Sequence, residues 1–135
     1  MKNLALLLLL AFVCLRISPF ALADEGHHHE ELTAEQLGSV HFPVSCEATS
    51  QKSFEKGVAL LHSFWYEEAR KAFEEIEKAD PKCAMAYWGH AMSLWHQLWD
   101  TPKAATLKQG AEDIAKAKSL KPATRREQDY VTALG

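Results

Sequence analysis

The chain has 135 residues, 47% hydrophobic and 24% charged, with a net charge of −3 when histidine is neutral. That balance fits one small globular domain with a modest core. The acid excess excludes the clustered basic face on which nucleic-acid binding rests.

Lys2 precedes a twelve-residue apolar run at 4–15, and Ala21 and Ala23 form a small-x-small pair before Asp24. This is the layout of a secretory signal peptide over residues 1–23, with cleavage expected after Ala23. A spanning anchor needs about 20 apolar residues, and Arg16, Ser18 and Pro19 interrupt any such extension. A lipid-modified Cys14 is opposed by the bulky Val13 before it. Cleavage removes Lys2 and Arg16 and no acid, which leaves 13 basic and 18 acidic residues and a net charge of −5.

Residues 24–36 hold His27, His28, His29 and several glutamates with few apolar side chains, which predicts a flexible, solvated arm. Weak capture of a divalent cation by the histidine run is the alternative. Residues 37–49 are apolar but broken by Gly38 and Pro43, and are expected to lie as an extended strap on the first helix pair.

A helix is predicted over 51–63, with Phe54, Val58 and Leu61 on one side and Gly57 and Leu60 on another. Two apolar sides demand two neighbours. Over 66–79, Tyr66, Ala69, Phe73 and Ile76 make one stripe, with Glu67–Lys71 and Glu74–Lys78 as solvent-side pairs, and Pro81 stops the helix. The cycle restarts at 84–98: at an offset of 34 residues Gly57 meets Ala91, Leu60 meets Leu94 and His62 meets His96. Residues 99–102 break the chain, with Thr101 as the expected N-cap and Pro102 in the first turn of a helix to about 120. Thr124 and Glu127 form a capping box for a further helix.

Gly57, Tyr66, Ala69, Phe73 and Pro81, followed by Ala84, Ala86, Tyr87, Trp88 and Ala91, resemble the tetratricopeptide-repeat family. Ser53 and Lys56 depart from it, standing where Trp and Leu are usual. The second unit closes at Pro122, 41 residues after Pro81, so about seven extra residues sit between its helices, and Gly110, Ile114 and Ala117 take the places of Ala69, Phe73 and Ile76. The wording around 40–43, 60–69 and 84–89 is similar to that of longer, exported bacterial repeat proteins, so the chain is expected to be an N-terminal piece. The resemblance implies an all-α solenoid of antiparallel helix pairs: unit 1 at 50–81, unit 2 with its inserted loop at 82–122, and the start of a third at 123–135. An array of helical hairpins outside the family is the bare alternative.

The resemblance also implies a concave face, built by the first helix of each pair, that binds a protein or peptide. Phe54, Val58, Leu61 and His62 would line it, with Trp88, Met92, Trp95 and His96 one unit later. Whether the strap or a further segment covers that face stays open. Cys46 and Cys83 each precede a first-of-pair helix, so in an oxidising compartment a bridge would join equivalent ends of neighbouring units; two buried thiols are the alternative. There is no phosphate loop, haem-attachment motif or nucleophile elbow, so no catalytic residues, cofactor or metal are expected. The reading is a periplasmic or secreted scaffold, free of the membrane after cleavage. Its alternatives are the regulatory end of a longer secreted enzyme, or a metal module using His62, His90 or His96, which the six-residue spacing of His90 and His96 disfavours.

Overall fold

The computed structural model describes residues 34–96 and 100–135. The expected signal peptide, Ala23 and most of the arm lie outside the described residues. Every regular element among them is helical: α1 (Ala34–Leu37), a 3-10 turn (Ala48–Ser50), α2 (Gln51–His62), α3 (Tyr66–Ala79), α4 (Ala84–Ser93), α5 (Ala104–Ser119) and α6 (Arg125–Leu134). None of these helices is long and apolar enough to cross a membrane.

The connections at 63–65, 80–83 and 120–124 are short, so consecutive helices return antiparallel. α3 packs on α2, and α4 on both α3 and α2. α5 packs on α4, and α6 on both α5 and α4. The α2–α3 turn closes with Trp65 N–H donating to the Leu60 carbonyl (3.0 Å) and Phe64 N–H to that of Leu61 (3.2 Å), with Phe64 left-handed at φ 64°. That pairing of bonds is the usual glycine-type helix stop, here made by a phenylalanine.

Phe73 is the centre of the packing. It is wholly buried and meets Phe54 edge-on at 5.5 Å. α2 and α4 approach it with glycines: a Cβ on Gly57 would fall 2.8 Å from its ring, and one on Gly89 2.3 Å from it. Ala69 and Ile76, on the same stripe of α3, are also buried, and Tyr66 is half-buried.

Several boundaries differ from expectation. α4 ends at Ser93, whose hydroxyl donates to the Gly89 carbonyl at 2.8 Å, so His96 stands beyond the helix. That side-chain bond competes with continued helix. α5 begins at Ala104 with Lys103 in the cap position, not at Pro102 behind Thr101. On α3, Arg70 takes Glu67 (3.1 Å) and Glu74, in place of the expected lysine pairs, because its longer fork reaches one turn in both directions. The last residues of the expected arm form α1. The capping box is present, with Thr124 accepting from Glu127 N–H and Glu127 accepting from Thr124 N–H.

Candidate functional site

The strap decides what the face expected to bind a partner can do. From Val40 to Cys46 its residues alternate between half-buried and exposed, with Val40, Phe42, Val44 and Cys46 turned to the core. That two-residue period is extended backbone, and its polar groups are met by side chains. Phe42 N–H donates to Glu55 (3.1 Å) and Val44 N–H to Gln51 (3.0 Å), while Gln51 donates back to the Phe42 carbonyl (2.9 Å). Ser45 N–H donates to Glu127 (2.6 Å), Glu47 N–H to Asp80 (2.8 Å), and Arg126 to the Pro43 carbonyl. The Phe42 ring lies 5.5 Å from Phe54, 5.9 Å from Trp88 and 5.2 Å from Tyr130, so one side chain touches α2, α4 and α6 together.

The expected binding face is corrected by this arrangement. Phe54, Val58, Leu61 and Trp88 are buried in the core, Trp88 beneath Phe42 and Tyr130, and none is open to a partner. Met92 and His96 are half-buried, His96 stacking on Tyr66 at 4.7 Å, and His62 is exposed. Trp95 alone of the large apolar members of the set is open, at 58% exposure.

Trp95 belongs instead to a depression of about 330 Å³ between the end of α4, α5 and α6. Leu94, Leu107, Ile114 and Leu134 form its walls, and Ala91, Gly110 and Ala111 its floor. Leu107 and Leu134 are exposed like Trp95. A wider depression of about 600 Å³ lies beside α1, but its walls include Thr49, Lys52, Ser53 and Lys56, exposed side chains that water already solvates. The apolar one is the better docking surface, since a cluster of exposed large apolar side chains marks interaction sites. Leu107 extends the Gly110–Ile114–Ala117 stripe by three residues, and Leu134 follows Val131 by three. Helical period alone therefore marks both, although neither was expected at a site.

Glu127 links the strap to α6 and is fully buried. Burial by itself would raise its pKa, but bonds from Ser45 N–H, Thr124 N–H and the Thr124 hydroxyl outweigh burial and hold it below the ordinary value. A depressed carboxylate contributes stability that is present above its unfolded pKa and lost as pH falls through the folded one. Glu127→Gln should cost about 1–3 kcal/mol at neutral pH. The gap from wild type should begin to narrow near pH 4.5 and close only as pH falls through the lower folded value, which chemical denaturation at several pH values would read.

Cys46 and Cys83 are joined as a disulfide with Cα atoms 4.7 Å apart, tying the strap to the start of α4. Asp80 lies within 4.8 Å of both sulfurs, yet sulfurs bonded to each other offer no thiolate to a metal. His62, His90 and His96 do not assemble as a ligand group among the described residues. His90 is buried against Glu74, Glu77 and Asp113, while His96 contacts Asp100 at 2.7 Å. No protein-family model, curated protein or solved structure matches the chain.

Proposed function

We propose that the chain is an exported, tetratricopeptide-like scaffold that receives an amphipathic helix of a protein partner in the groove between α4, α5 and α6. The observation that carries this reading is the convergence of Trp95, Leu107 and Leu134, all exposed, on a floor of small residues. The fold itself suggests the occupant. Phe73 of α3 enters between Gly57 of α2 and Gly89 of α4 because neither bears a side chain; Ala91, Gly110 and Ala111 leave similar room for one large apolar residue. The signal layout and the Cys46–Cys83 bridge support export.

The test is an anisotropy titration of the full chain with a labelled synthetic peptide of residues 66–79, the segment that carries Phe73. A free peptide of that length is marginally helical and loses affinity to ordering, so saturable binding in the micromolar range is expected. A Cβ on Gly110 meets only Leu94, at an ordinary 3.9 Å, so the backbone has room for the first carbon of a side chain in Gly110→Leu, which would occupy the groove. It should weaken binding about tenfold or more, the loss of roughly one hot-spot contact. No saturable binding, or binding indifferent to Gly110→Leu, would sink the reading.

A further inference from the structure

His90 stands at the meeting of three helices. Its Nδ1 lies 3.0 Å from Asp113 Oδ2 of α5 and 3.6 Å from Glu77 Oε1 of α3, and its Nε2 lies 3.5 Å from Glu74 Oε1 of α3. The side chains of His90 and Asp113 are more than nine-tenths buried. Glu77 Oε1, His90 Nδ1 and Asp113 Oδ2 are all buried without a partner at hydrogen-bond geometry.

The ring has carboxylates on both edges. A neutral imidazole carries one N–H and would turn a lone pair toward an acid on its other edge; only the imidazolium presents a donor to each. Further groups face the cluster from α3, α4 and α5. Arg70 pairs with Glu74, Gln109 donates to Asp113 Oδ1 (3.1 Å), and Lys78 lies near Glu77. Tyr87, one turn before His90, is held above its ordinary pKa by burial first and then by Glu77, Asp113 and Asp80.

We propose that His90, clasped by Asp113, Glu77 and Glu74, is a pH-responsive latch that ties α5 to α3 and α4 below neutrality and loosens above it. Loss of the His90 proton leaves buried carboxylates facing a neutral ring, and ionisation of Glu77 adds a further negative charge. The electrostatics point the same way. Burial would lower the His90 pKa, but Asp113, Glu77 and Glu74 outweigh it and raise it. Burial, opposed by His90 and aided by Asp113 and Glu74, pushes Glu77 up to about 7. Both are raised groups, so their stability is present below the unfolded pKa values and lost as pH rises through the folded ones.

The test is thermal unfolding of the oxidised full chain from pH 5.5 to 8.5, with hydrogen exchange at the two ends of that range. Wild type should lose about 5 °C or more across it, as a small domain does for a change of this kind. His90→Gln and Glu77→Gln should each flatten that slope, and the amides of α5 should lose more protection than those of α2. If His90→Gln does not fold, the His90 ring resonance in wild type decides: it must titrate above the ordinary histidine range. A flat wild-type profile, an unaltered slope in both variants, or a His90 ring titrating at or below the ordinary range would each overturn the latch.

Discussion

Replacing Phe73 by Ala should cost about 3–5 kcal/mol, the upper range for an aromatic removed from a closed core. The ring is wholly buried, and Gly57 and Gly89 approach it closely enough that a Cβ on either would clash with it. Glycines have no side chain to fall into the space, so the cavity stays open. For a domain of this size that is a drop in melting temperature of at least about 15 °C, out of a total stability of roughly 5–15 kcal/mol. The reverse change tests the same contact. Gly89→Ala would push a methyl to 2.3 Å from the Phe73 ring, and should cost about 1–3 kcal/mol through overpacking. A loss below about 1 kcal/mol for Phe73→Ala would mean that this ring does not hold α2 and α4 together.

Trp88→Ala and Trp95→Ala should part company, although both residues read from the sequence as anchors of one face. Trp88 is 6% exposed, stacked under Phe42 and met edge-on by Tyr130, so its truncation should cost about 3–5 kcal/mol and release the strap. Trp95 stands past the end of α4 with 58% exposure, and its truncation should change stability by no more than about 0.5 kcal/mol. Paired urea melts read both. Equal losses would contradict the assignment of Trp88 to the core and Trp95 to the surface.

The contrast between these two tryptophans shows how far the sequence carries. The all-helical class was legible in the stripe Ala69, Phe73 and Ile76, in Pro81, and in the Thr124–Glu127 box, because each is a local signal. The first helices were correctly apolar on two sides. Period cannot say whether the second side meets solvent, a partner or another part of the chain. What fills it is the strap, and the contacts that place it there are distant: Ser45 and Glu127 are 82 residues apart. Gln51 and Glu55, one turn apart on α2, hold the strap's main chain, yet nothing local sets them apart from ordinary surface residues. Trp95 was legible as apolar, but its escape from the core rests on α4 stopping at Ser93, two residues earlier.

The acid and base sides of stability have separate owners. Glu127, depressed by the N–H groups it accepts, weakens the strap as pH falls; Glu77 and His90, both raised, weaken the junction of α3, α4 and α5 as pH rises. Together they place greatest stability in mildly acidic solution.

The folded chain keeps one apolar groove open, while the face expected to receive a partner is filled from within by the strap. Fluorescence of an apolar dye, titrated into the oxidised wild type and into Gly110→Leu at matched folded fraction, tests it most directly. Bright, saturable binding to wild type and its loss in Gly110→Leu are expected. A dark wild type, or a variant as bright as wild type, would contradict it.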